Sequence, residues 1–280
     1  MFDVTIQGKT IQFEPNAISW LQKRDFFAIE KLGGIKCFMK KYKNKPSAWD
    51  LAVSLIGQTG TNMPMVYDAI YDRSGNNYYV FFEYVRGTTL KDYILNGDVP
   101  DSLAVFQQIY LALNTIHSKG YWFSDFNEEN IFVTAGFVKK FILIDIDSCW
   151  KRSIRPNPIG NEEGGIPGAA QNIGKHILNY YEKYLSSTPN MVTYKDIPGV
   201  NLNFLQLLVL CIKLNIFRSR KAVDLTFRYI DAKNFTDIHD IIYNCDSKFS
   251  MGVFTLAKDE NKNISLPLQT LISRIIKNKT

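Results

Sequence analysis

Three short segments hold the side chains best suited to chemistry. The first, Asp125-Phe126-Asn127-Glu128-Glu129-Asn130, runs into the apolar stretch Ile131-Phe132-Val133. Phosphoryl transfer needs a carboxylate near the attacking hydroxyl and an amide oxygen on a metal, and a short loop ending in a strand can present both. The second, Phe141-Ile142-Leu143-Ile144-Asp145-Ile146-Asp147, is an apolar strand that stops at an acid. A carboxylate there is either an oxygen ligand for magnesium or an aspartate that opens a turn. The third, Ile35-Lys36-Cys37-Phe38-Met39-Lys40-Lys41-Tyr42, is a strand on which Phe38, Lys40 and Tyr42 share a face and Lys41 takes the other. Lys40 would hold phosphate oxygens as a point charge, or both lysines would decorate a solvated strand.

The elements that must position these groups are legible from periodicity and turn signals. Strands are expected at Val4 to Phe13, Phe26 to Leu32, Ile35 to Tyr42, Met65 to Tyr71 and Tyr78 to Tyr84, separated by turns such as Gly33-Gly34 and Ser74-Gly75-Asn76-Asn77. A helix is expected from Trp49 to Gln58, with Trp49, Ala52, Val53 and Ile56 as its apolar stripe. After Gly87 helical periods dominate: Leu103 to His117, Ala170 to Leu185, Leu202 to Asn215 and a run near Leu266 to Lys277. Short strands at Asn130 to Val133 and Phe141 to Ile146 interrupt them. Gly120 can close the helix before Tyr121.

Composition bounds the class. With 280 residues, 46% hydrophobic and 14% aromatic, the chain can bury a large core. The apolar run Phe204 to Ile212 is too short and interrupted to cross a bilayer, and MFDVTIQGK has no signal-peptide core, so a cytoplasmic protein without a membrane span is expected. Cys37, Cys149, Cys211 and Cys245 lack metal-ligand spacing and are expected to be reduced thiols. A net charge of +6, densest at Lys36 to Lys45, falls short of the broad basic face that nucleic acid needs.

In order and spacing, the three segments resemble a protein kinase catalytic domain over about residues 35 to 150. Phe38-Met39-Lys40 looks like the V-A-I-K strand, and Asn62-Met63-Pro64-Met65-Val66 like the link after the αC helix. Tyr79 to Leu90 is similar to the hinge and the helix start that follows it, and Leu113 to Asp125 to the αE helix running into the catalytic loop. The resemblance implies an α+β bilobal fold, with a small β-rich N-lobe carrying one helix (residues 1–84) and a larger helical C-lobe (residues 85–280). It implies ATP and Mg2+ as cofactors, with Lys40 on the α- and β-phosphates and Asp125 as catalytic base. Asn130 and Asp145 would be magnesium ligands, Phe82 the gatekeeper, and Glu83, Tyr84 and Val85 the backbone partners of adenine. Asp147 would be either an additional metal ligand, if the strand continues, or a turn-capping aspartate.

The chain departs from that family at several points. No G-x-G-x-x-G precedes the lysine strand, and the expected helix holds no glutamate, leaving Asp50, Asp145 or phosphate to hold Lys40. Phe123-Ser124-Asp125 stands for H-R-D, Asp145-Ile146-Asp147 for D-F-G, and Asn127 for the usual lysine. Lys151 to Gly168 replaces the activation loop without an A-P-E ending, and Asn172-Ile173-Gly174 only faintly matches the start of αF. The leading expectation is a divergent, bacterial-type serine/threonine kinase acting on a protein hydroxyl. The alternatives are a pseudokinase that binds a protein partner and a small-molecule kinase of the aminoglycoside or choline type. The third conflicts with the roughly 35 residues between Gly87 and Phe123, room for two ordinary helices.

Overall fold

The computed structural model describes residues 1–15 and 27–151, and positions 203, 206, 207, 210, 211 and 214 of a later helix. The expected helices at Ala170 to Leu185 and Leu266 to Lys277, Cys245, Asn172 to Gly174 and nearly all of Lys151 to Gly168 lie outside the described residues. Among the described residues the architecture is α+β, built of small antiparallel sheets and few helices.

The chain opens with a hairpin, β1 (Phe2–Ile6) against β2 (Lys9–Phe13). One strand was expected across Val4 to Phe13. The chain instead reverses at Gln7 and Gly8, whose φ values of 50° and 76° form the two-residue loop that matches strand twist. Next come β3 (Phe27–Leu32) and β4 (Ile35–Tyr42), joined at Gly33-Gly34, then helix α1 (Trp49–Ser54), β5 (Val66–Asp72) and β6 (Asn77–Glu83). The four strands form one sheet in the order β3-β4-β6-β5.

Helix α1 is shorter than its periodicity predicts. Gly57 takes φ 72° and its amide bonds the Val66 carbonyl at 2.9 Å, so the chain leaves the helix to meet β5. Its buried stripe is Leu51 and Ala52, continued by Leu55; Val53 and Ile56, expected inside, face solvent.

Alternation along β4 gives the sheet two different faces. Cys37 and Met39 point into a cluster with Val4, Ile6 and Phe13 of the hairpin and Tyr79 and Phe81 of β6. Phe13 meets both of those rings edge-on, at centroid distances of 5.3 and 4.9 Å. Phe38 and Tyr42 pack on the opposite face, against a larger cluster that includes Leu51, Phe82, Ile109, Phe123, Ile131 and Leu143. Lys40 shares that second face, as expected.

Beyond the sheet follow β7 (Gly87–Thr89), α2 (Leu90–Leu95) and α3 (Ser102–Ser118). Thr89 caps α2 by accepting from the Asp92 amide while its hydroxyl donates to the Asp92 carboxylate, and Asp101 caps α3 by accepting from the Leu103 and Ala104 amides. Then come β8 (Tyr121–Phe123), β9 (Ile131–Thr134), β10 (Phe141–Leu143) and β11 (Cys149–Lys151). β9 lies between β10 and β7, and β11 pairs with β8. Gly87 is forced by close approach: a Cβ there would stand 2.2 Å from the Val133 carbonyl oxygen. Cys37, Cys149 and Cys211 are buried, and among the described residues no helix is long and apolar enough to cross a membrane.

Candidate functional site

The loop between β8 and β9 is braced by its own side chains. Asn127 accepts from the Glu129 and Asn130 amides at 2.8 and 3.1 Å, which winds Glu128–Asn130 into one 3-10 turn. Its Nδ2 donates to Asp125 Oδ1 at 3.0 Å, and Asn130 Nδ2 donates to Asp125 Oδ2 at 2.9 Å and to the Asp125 carbonyl at 2.8 Å. Each carboxylate oxygen of Asp125 accepts one of these bonds, and each carries a second lone pair. Asn127, read from sequence as a lost lysine, thus holds the candidate base in place.

This loop is tied down where it leaves β8. Ser124 donates to the Ser148 carbonyl through its amide at 3.1 Å and its hydroxyl at 2.6 Å. Asn203 grips Phe123, accepting from its amide at 2.8 Å and donating to its carbonyl at 2.6 Å, and lies 3.1 Å from His117 Nε2 at the end of α3. Asn203 is fully buried and was missed from sequence. The available signal was an amide inside an apolar helical run, which costs too much to bury without partners.

The segment after β10 carries the second pair of acids. The expected strand to Ile146 stops at Leu143, because Asp145 takes a left-handed conformation, φ 69°, and Ile146–Ser148 turns as a 3-10 helix. Ser148 closes the turn, its amide on the Asp145 carbonyl at 3.0 Å and its hydroxyl on Asp145 Oδ2 at 3.3 Å. Asp145 and Asp147 therefore do not share a strand face, yet both reach Lys40 across more than 100 residues of chain. Lys40 Nζ bonds Asp145 Oδ1, and Asp147 Oδ1 at 2.5 Å.

Burial alone would lower the Lys40 ammonium, but the charges of Asp147 and then Asp145 outweigh it and raise its pKa. Burial pushes the Asp147 carboxyl above the usual aspartate range, with Lys40 opposing and Asp145 adding to the shift. Tyr42 stands beside them on β4: burial first, then Asp147 and Asp145, push its phenol far up, so it stays a neutral donor. Its buried hydroxyl meets no acceptor at hydrogen-bond geometry. Asp50 is not part of this cluster; it bonds Lys45 and Lys151, both at 2.8 Å, on the half-exposed side of α1.

Beside the cluster opens a cleft of about 280 Å³. Phe38, Pro64, Phe82, Phe132, Ile144 and Ile146 give it apolar walls, and Glu83, Tyr84, Val85 and Gly87 form one edge. Lys40, Asp145 and Asp147 line it as well. Glu83 is fixed by Met65, which accepts from its amide at 2.8 Å and donates to its carboxylate at 3.2 Å. Lys36 lies 3.7 Å over the Tyr84 ring.

Asp125 and Asn130 do not line the cleft. They are bonded to each other and joined to the Lys40 cluster by the Ile144 amide, which donates to the Asn130 carbonyl at 2.9 Å one residue before Asp145. Among the described residues no group of three or more His, Cys, Asp or Glu side chains gathers as a metal site. The candidate donors here are Asp145, Asp147 and the amide of Asn130. No protein-family model matches this chain, and no curated protein matches it.

Proposed function

We propose that this protein binds ATP with magnesium in the cleft beside Lys40 and transfers the γ-phosphoryl group to a hydroxyl, as a divergent protein kinase of bilobal form. The observation that carries the reading is the meeting of Lys40 with Asp145 at the end of an apolar cleft edged by residues 82–85. An ammonium and a carboxylate held at the polar end of an otherwise apolar cleft suit a ligand with a flat base at one end and phosphates at the other. In this reading the adenine lies between Phe38 and Phe132 and bonds the backbone of Glu83 to Val85, while Phe82 limits the depth.

The donor set fits magnesium, because the Asp145 carboxylate and the Asn130 amide oxygen are the oxygen donors that a hard cation prefers. Asp145 and Asn130 would hold the ion, which when bound neutralises charge on the phosphate oxygens. Lys40 holds further phosphate oxygens. Asp125, oriented by Asn127 and Asn130, accepts the proton of the attacking hydroxyl through a free lone pair. Residues 1–84 and 85–280 would be the two lobes. A serine or threonine of a protein is the proposed acceptor, and the interval from β7 to β8, filled by α2 and α3, holds no insert to enclose a small substrate.

One observation favours a second reading, a pseudokinase that binds a protein partner. Lys40 already satisfies both Asp145 and Asp147 internally. Thermal unfolding separates the first step: ATP with Mg2+ should raise the melting temperature of the wild type and not of Asp145→Asn. An unchanged wild type would contradict nucleotide binding, and stabilisation without phosphoryl transfer would favour the second reading.

A further inference from the structure

A buried ammonium stays in a low-dielectric position only if an anion holds it there. In the free protein Lys40 has two such anions, and a cation bound by Asp145 would compete for one of them. The surroundings of the two acids differ. Asp145 is held by its own turn, through the Ser148 hydroxyl and amide, and keeps those bonds without Lys40. Asp147 instead meets β4, with Lys40 at 2.5 Å and the buried phenol of Tyr42 two residues further along the same strand face. Asp50, the one acid on α1, is held by Lys45 and Lys151 instead.

We propose that Asp147 is the positioning carboxylate of Lys40, and that it keeps the ammonium in the cleft while Asp145 exchanges Lys40 for a cation. This rests on the nucleotide-binding reading above. It assigns the two acids of Asp145-Ile146-Asp147 different tasks: one faces the metal, the other the lysine. Asp147 acts through Lys40 and touches no reacting atom.

The test is equilibrium binding of ATP, with and without Mg2+, to the full-length wild type, Asp147→Asn, Asp147→Glu, Asp147→Ser, Asp145→Asn, Lys40→Met and the Lys40→Met/Asp147→Asn double variant. Asp147→Asn should weaken ATP by about tenfold, the size of one lost charge-assisted contact, in both conditions. Asp147→Glu should recover most of that, and Asp147→Ser should show the same magnesium-independent loss as Asp147→Asn. Asp145→Asn should instead remove the tightening that Mg2+ brings. The double variant should bind no worse than Lys40→Met alone. The role is overturned if Asp147→Asn abolishes the magnesium effect as Asp145→Asn does, the mark of a metal ligand, or if its loss adds in full to that of Lys40→Met. Should Asp147→Asn fail to fold, Asp147→Ser and Asp147→Glu decide by the same comparison. No binding by the wild type overturns the nucleotide reading and this role with it, a result distinct from wild-type binding with an inert Asp147.

Discussion

The backbone of Asp145 sets the geometry of the site. Left-handed φ costs a residue with a Cβ roughly 1–2 kcal/mol, and Asp and Asn bear it best. Asp145→Asn and Asp145→Ala both remove the carboxylate that faces Lys40, and they differ in tolerance of the left-handed backbone and in the Ser148 hydroxyl bond that only asparagine can keep. Chemical denaturation should find the alanine variant about 1 kcal/mol less stable than the asparagine variant; equal stabilities would mean the turn relaxes freely. A second single-residue effect lies in the turn from β5 to β6. The Ser74 hydroxyl, then the Gly75 and Ser74 amides, hold the Asp72 carboxyl below the usual aspartate value near 3.8 against the effect of burial. Since the folded pKa is depressed, this stabilisation is present above that value and is lost as pH falls through the folded one. Asp72→Asn should therefore cost about 1 kcal/mol at neutral pH and flatten the acid limb of the stability curve below about pH 4. An unchanged limb would contradict it.

At the scale of elements, the site depends on two close approaches that carry no chemistry. Gly87→Ala would drive a Cβ into the Val133 carbonyl and part β7 from β9, a cost of about 1–3 kcal/mol by denaturation. Asn203→Leu would strand the amide and carbonyl of Phe123, two residues before Asp125, at about 2 kcal/mol or more. A neutral result would show that the Asp125 loop does not hang on that helix. These elements also mark how far the sequence could be read. The strands Ile35–Tyr42 and Asn77–Glu83 and helix Ser102–Ser118 follow their periodicities, because the helix buries one regular stripe and each strand alternates its side chains between two packed faces. The hairpin turn at Gln7-Gly8 escaped notice since it lacks an asparagine or aspartate ahead of the glycine. The pairing of Asp147 with Lys40 escaped it because period-two reasoning assumes a continuing strand, and one left-handed residue at Asp145 breaks that assumption. Lys40 facing the cleft was legible, and Asp145 was among the groups expected to hold it; the Asp147 contact was not, since it depends on folding 107 residues of chain back on itself.

Across the described residues, the sheet separates two cores with different duties. The outer one, under the N-terminal hairpin, backs β4 and β6; the inner one joins the sheet to α1, α3 and the Asp125 and Asp145 segments. Phe13→Ala should lower stability by about 3–5 kcal/mol, and if the protein stays folded, ATP affinity should change little because the cleft lies on the opposite face. The account as a whole turns on Lys40, Asp125, Asn130 and Asp145 serving one phosphoryl group. The most direct measurement is transfer of label from γ-labelled ATP, with Mg2+, to the protein itself or to a generic protein acceptor, by the wild type and by Asp125→Ala. Labelling by the wild type, reduced at least a hundredfold in Asp125→Ala as expected for loss of a general base, is the predicted result. Equal labelling by both would contradict the role of Asp125, and no labelling by either would contradict the transfer reaction.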